Sequence, residues 1–166
     1  MKVMGIAGWK NSGKTGLMER LVSHFTAKGL SVSTVKHTHH SVDLDQPGKD
    51  SYRHREAGAQ ETLVVSGSRW AILHELRDAP EPELPELLSK LAPVDLILVE
   101  GYKRGPHPRI EAHRQATGQP YLAADDTGIV AVAADAPELC DQSQPVFDLN
   151  DTQAIAAFIR DYLQIS

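Results

Sequence analysis

The chain has 166 residues, with 17 lysines and arginines against 22 aspartates and glutamates, a formal charge of −5 and a single cysteine. That length suits one domain with a substantial core, and the acidic balance argues against nucleic acid or an anionic membrane as the main partner. One cysteine excludes an internal disulfide and a cysteine-rich zinc site. No run of about 18 apolar residues and no leader-like apolar segment occurs, so a cytoplasmic protein is expected.

Short apolar runs predict strands at Val3–Ala7, Val32–Val35, Thr62–Val65, Trp70–Leu73, Leu96–Val99, Ile129–Ala133 and Val146–Asp148, and Pro108–His113 resembles a further one. Helical patterns fill residues 14–28, with Gly29 placed to stop the helix, then 51–57, 83–91 and 152–164. Asn150, three residues before Gln153, offers a capping pair for the last. Alternating strands and helices predict an α/β fold, a mostly parallel central sheet with helices on both faces. Residues 36–51 are polar, rich in His and Asp, and too long for a plain connection, so a functional loop is expected there. Residues 1–166 are read as a single phosphate-loop nucleotide-binding domain.

Residues 8–15, Gly-Trp-Lys-Asn-Ser-Gly-Lys-Thr, satisfy G-x-x-x-x-G-K-[ST] at every fixed position. The two glycines let consecutive N–H groups turn inward towards a β-phosphate. Lys14 brings charge to the β and γ oxygens, and the Thr15 hydroxyl suits Mg²⁺. The expected strand before the loop and helix after it put a helix N-terminus where phosphate must sit. A plain glycine-rich βα turn is the alternative.

Such a loop needs a carboxylate at the end of another strand. The run 94–101 ends in Glu100-Gly101, so Glu100 is the candidate Walker B acid for the metal, and Gly101 would let the backbone approach the γ-phosphate. Lys14 and Glu100 are thus the catalytic candidates, and Thr15 and Glu100 the metal candidates. In the polar loop, Asp45 or Asp50 offers a water-mediated route to Mg²⁺, and Lys36 or Lys49 a phosphate contact. His37 and His39, with His40 and the nearby aspartates, have a spacing that permits Zn²⁺ or Ni²⁺. The usual guanine reader, Asn-Lys-x-Asp, is missing. Its nearest analogue is Asp135 after an apolar strand, a position equally suited to capping a turn.

Together these pieces resemble the MobB family, the molybdopterin-guanine dinucleotide biosynthesis adaptor proteins. The matching segments are GWKNSGKT at 8–15, KHTHH at 36–40, DLDQPGKDSYRHREAGA at 43–59, DLILVEGYKRGPHPRIE at 95–111 and AVAAD at 131–135. The resemblance implies a weak GTPase that binds GTP with Mg²⁺, forms a homodimer and works beside the molybdenum cofactor guanylyltransferase. It also implies phosphate contacts from Asn11, Ser12, Gly13, Lys14, Thr15 and Gly16, and Asp135 facing guanine. Tyr52, Arg53 and Arg55, and Tyr102, Lys103 and Arg104, form two clusters suited to a second anionic ligand, such as molybdopterin, or to a partner's acidic patch. Two other readings stay open. One is a metallochaperone GTPase using His37, His39 and His40; the other is a small-molecule kinase using Arg104, Arg109 and Arg114.

Overall fold

The computed structural model describes residues 1–38, 43–102, 105–140 and 143–166, and the chain divides into two compact units. The first joins residues 1–37 to 88–166; the second is residues 38–87.

In the first unit the chain runs through β1 (Lys2–Ala7), α1 (Lys14–Ala27) and β2 (Val32–Lys36). The second unit carries α2 (Asp50–Glu56), β3 (Glu61–Val65) and β4 (Trp70–His74), and the boundary near residue 87 falls within α3 (Leu84–Ser89). The first unit resumes with β5 (Leu96–Glu100), β6 (Arg109–His113), β7 (Ile129–Ala134), β8 (Val146–Asp148) and α4 (Thr152–Leu163). Its sheet has six strands in the order β2-β5-β1-β6-β7-β8, and every pairing is parallel. All six strands therefore end on one edge, the place where open α/β sheets bind ligands.

The expected elements appear, with ends shifted by a residue or two. α1 stops as the glycine predicts. Gly29 takes a left-handed φ of 84°, its N–H reaches Thr26 O, and the Leu30 N–H reaches Phe25 O. That pair of bonds is a Schellman close. At α4 the cap is not Asn150 but Asp151, whose carboxylate accepts the Ala154 N–H at 2.9 Å. Asn150 is one residue too early for its side chain to reach that amide.

The two long helices share one face of the sheet. Leu17, Met18, Leu21 and Phe25 of α1, with Ile155, Ala156 and Ile159 of α4, pack on Met4, Ile6, Leu96, Leu98, Ile110 and Ala131. On the other face, around β7, a single 3₁₀ turn at Leu122–Ala124 covers Ile129, Val132 and Ala134. β6 is buried along its whole length although three of its residues are polar. Each charge has its partners, as burial demands. The Glu111 oxygens accept the N–H groups of Leu122 and Ala123, both at 2.9 Å. Arg109 donates to Asp126 at 2.7 Å and to the carbonyls of Gly105 and His107.

His107 is buried beside this arginine, and among the described residues neither ring nitrogen has a hydrogen-bond partner. A Cβ on Gly5 would stand 2.9 Å from its Nε2, so the imidazole fills the space that glycine leaves. Burial, reinforced by the Arg109 charge and opposed by Asp126, lowers its pKa. The unfolded chain then takes up a proton near pH 6.5, about the ordinary histidine value, while the folded chain resists it to lower pH. Stability therefore falls as pH drops below about 6.5. Melting curves at about pH 7 and pH 5.5 should show a larger loss in the native chain than in His107→Gln; equal losses would contradict this. For the cap, Asp151→Ala should cost about 1 kcal/mol in chemical denaturation and Asn150→Ala close to nothing.

Candidate functional site

The site begins where β1 runs out. Gly8 follows Ala7 with φ 141°, and a Cβ there would lie 2.4 Å from the Ala112 carbonyl of β6 and 2.5 Å from Ser12 Oγ. Asn11 and Gly13 are also left-handed, at φ 65° and 96°. These turns bring the chain into α1 with Gly13 as its N-cap, no side chain capping it and no acid in its first turn. Its leading N–H groups and dipole thus face no competing carboxylate of their own, which suits an anion.

Two side chains complete the loop. Ser12 is almost wholly buried, and its Oγ has no hydrogen-bond partner among the described residues. Lys14 folds back so that Nζ donates to Trp9 O at 2.6 Å. An orphaned hydroxyl, an ammonium resting on its own loop and a free helix start fit a polyphosphate. The Trp9 indole N–H donates to Pro120 O at 2.8 Å, tying the loop to the turn after β6. That turn is held in place by Tyr121, whose ring stacks on His113 at 3.8 Å. Burial and a hydrogen bond to Cys140 raise the Tyr121 phenol to about 12, so it stays protonated.

The parallel register brings the other expected residues to the same edge. Glu100 pairs with Ile6 of β1 and with Lys36 of β2. Leu96 and Leu98 pack against α1, so the strand's two-residue alternation points Glu100 to the helix-bearing face. Thr15 and Gly16 lie in the first turn of that helix. Gly101 has φ 99°, and the space its Cβ would take is occupied by the His37 carbonyl at 2.5 Å. Its lack of a side chain thus serves the packing of β2 against β5. Asp135 follows β7 and is exposed; its Oδ1 accepts the Gln115 N–H at 3.0 Å. One oxygen therefore does the work of a turn cap.

Several expectations are corrected. Arg55 is not available to a second anion, because it bonds Asp43 and Glu75 at 2.8–2.9 Å and lies 3.5 Å from Asp45. Asp45 is half committed: its Oδ1 takes the Ser51 hydroxyl at 3.0 Å and the Gln46 N–H at 2.9 Å, while its buried Oδ2 has no hydrogen bond among the described residues. Arg109 is buried in its ion pair and cannot belong to a kinase lid. His39, His40, Lys103 and Arg104 lie outside the described residues. Among the described residues, no three His, Cys, Asp or Glu side chains group as a metal site. His37 packs against Tyr102, with ring centroids 4.7 Å apart, and the reading that joins it to His39 and His40 falls on residues outside those described. Two residues stand in positions that the sequence reading gave no reason to expect. Trp9 and Arg114 both stand beside the phosphate loop, the second immediately after the last residue of β6.

The sequence model of MobB, described as molybdopterin guanine dinucleotide synthesis protein B, matches residues 3–135. The chain belongs to the MobB family. It is 38% identical over 165 residues to the molybdopterin-guanine dinucleotide biosynthesis adapter protein of Escherichia coli K12, covering 98% of this chain and 93% of that protein. It is likewise 38% identical over 164 residues to the protein of that name from Haemophilus influenzae, covering 97% and 89%. A crystal structure of a MobB homologue from Bacillus stearothermophilus superposes with a TM-score of 0.73 at 29% identity, over the full length of both chains. Among the described residues no helix is long and apolar enough to cross a membrane.

The close approach at Gly8 generates a prediction for the family scaffold. Gly8→Ala sets a methyl group against a β6 carbonyl that cannot move without breaking the sheet, so a loss of at least about 2 kcal/mol in denaturant unfolding is expected. An unchanged midpoint would mean that the loop had found another path.

Proposed function

We propose that this chain is an adaptor in molybdopterin guanine dinucleotide biosynthesis that binds GTP with Mg²⁺ and hydrolyses it weakly. The observation that carries the reading is the loop 8–15, with its orphaned Ser12 hydroxyl and its uncapped helix start. The names borne by its family relatives point to the pathway, and a guanylyltransferase is the partner proposed for it.

In this reading Asn11 to Gly16 hold the phosphates through backbone N–H groups. Lys14 exchanges the Trp9 carbonyl for the β and γ oxygens, a trade of a neutral acceptor for a charged one that strengthens the bond. Thr15 and Glu100 would hold Mg²⁺, which neutralises charge between the terminal phosphates. Gly101 keeps β2 and β5 close, so the backbone beyond Glu100 lies near the terminal phosphate. Asp135 has one carboxylate oxygen committed to Gln115 and offers the other to a guanine N–H. The protein works in the cytoplasm, where its partner, its nucleotide and molybdopterin meet.

The homodimer finds support in the second unit. β3 and β4 form an antiparallel hairpin whose Leu63, Val65, Trp70 and Ile72 share one face, each more than half exposed. Thr62, on the opposite face, is buried. A two-stranded hairpin is marginal alone, and a contiguous apolar face of this kind marks a contact surface. We assign it to a second copy of this chain. Trp70→Glu should convert a dimer to a monomer in sedimentation equilibrium; a dimer that survives would move the interface elsewhere.

The central test is calorimetric titration with GTP and with ATP in Mg²⁺, repeated in the presence of purified molybdopterin guanylyltransferase. Binding of GTP in preference to ATP, and a nucleotide-dependent complex, are expected. Lys14→Ala should keep its circular dichroism and melting temperature while losing GTP affinity. Charge-assisted bonds worth about 1.5–3 kcal/mol put that loss at about ten- to a hundredfold. Retained affinity would overturn the site.

A further inference from the structure

The first unit's arginines are nearly all spoken for. Arg20 donates to Thr152 Oγ1 and to the Leu149 carbonyl, Arg109 to Asp126 and two carbonyls, and Arg160 to Ile165 O. Arg114 differs: among the described residues its guanidinium has no hydrogen bond and no ion pair, and it is exposed. It is not loose in solvent either. A Cβ built on Gly13 would stand 3.2 Å from Arg114 Nε and 3.5 Å from Cζ, with Leu149 Cδ2 at 2.9 Å. The cation therefore rests against the last glycine of the phosphate loop, beside a buried leucine.

A carboxylate is close at hand, and Arg114 does not pair with it. The N–H of the next residue, Gln115, binds Asp135, while the guanidinium rests against Gly13. An unpaired cation resting against a loop shaped for anions is placed for an anion that arrives with the ligand.

The nucleotide's own connectivity says which anion. Its β-phosphate belongs at the N–H groups around Gly13 and Lys14, and its base is assigned to Asp135. The parts between them are the ribose and the α-phosphate, and only the phosphate is charged. We propose that Arg114 binds the α-phosphate of the nucleotide held in loop 8–15. This rests on the nucleotide-binding reading above and adds a second side-chain cation to it. Two further features of the loop point independently to a ligand there. The Ser12 hydroxyl is buried without a partner, its Oγ 2.5 Å from where a Gly8 side chain would begin, and α1 starts uncapped.

The experiment is a titration of the full chain with fluorescent GTP and GDP in Mg²⁺, over a series of salt concentrations, for the native chain, Arg114→Ala, Arg114→Lys and Lys14→Ala. Both nucleotides carry the α-phosphate, so Arg114→Ala should weaken GTP and GDP by the same factor, about tenfold, as expected for one charge-assisted contact. Its affinity should also become less sensitive to salt than the native chain's, and Arg114→Lys should restore part of the loss. The nucleotide-free melting temperature should not move. An affinity unchanged in Arg114→Ala, a loss falling on GTP while GDP is spared, or a loss matched by a fall in melting temperature would each overturn the assignment. A native chain that binds neither nucleotide would overturn the parent reading and this one together. A native chain that binds, a Lys14→Ala variant that does not and an unaffected Arg114→Ala would remove the Arg114 assignment alone.

Discussion

At the end of β1 the backbone carbonyl of Ala112, on the neighbouring strand β6, occupies the space where residue 8 would carry a side chain. The chain can leave the sheet and turn into α1 there only with glycine. The candidate site of the first unit is arranged around that contact. Because β6 is pressed against the loop, its next residues, His113 and Arg114, arrive beside Trp9's tether and Gly13. Because the strands are parallel, Glu100 and Asp135 arrive at the same edge from β5 and β7. A bulkier residue 8 would push the loop away from β6 and separate groups that are useful only together.

The same strand carries the unit's most demanding internal electrostatics. Glu111 and Arg109 alternate along its buried face, each satisfied by a segment later in the chain: the turn at 122–123 for the carboxylate, Asp126 for the guanidinium. Removing one partner of such a set leaves a buried charge uncompensated, at a cost of about 3–5 kcal/mol. These bonds do for the 105–128 region what apolar packing does for the helices. They hold a glycine- and proline-rich stretch against the sheet, and so fix the turn that Trp9 grips.

Period and punctuation made the regular elements legible. Leu17, Leu21 and Phe25 mark the inner face of α1, Gly29 its end, and Leu96–Val99 a strand buried on both sides. The turn at 8–15 was legible because its glycines answer local backbone demands. What escaped is what depends on distant partners. Arg109, Glu111 and His113 alternate with apolar residues, a pattern that suits a half-exposed strand, yet the strand is central because amides and acids 11–17 residues onward absorb its charges. The cap of α4 was missed by one residue because Asp148, Asn150 and Asp151 are all chemically suitable. Only the geometry assigns Asp148 to the Asn150 amide and Asp151 to the helix. The division at 37 and 87 has no compositional break to announce it. Arg114 was singled out only for a kinase reading, and its place against Gly13 shows once β6 stands next to β1.

The ion cluster of the second unit ties residues 43–56 to β4. Arg55 is shared among Asp43, Asp45 and Glu75, and its hydrogen bonds to Glu75 and then to Asp43 push its pKa further up. Asp43 is held below the ordinary carboxylate range, first by the Asp45 N–H and then by Arg55. One positive charge among three negative ones leaves the cluster with an excess of two. Its hydrogen bonds are unevenly shared: Asp45 Oδ1 takes the Ser51 hydroxyl and the Gln46 N–H, which joins the start of α2 to the preceding loop, while the buried Oδ2 lies 3.5 Å from Arg55 Nε without a hydrogen bond among the described residues.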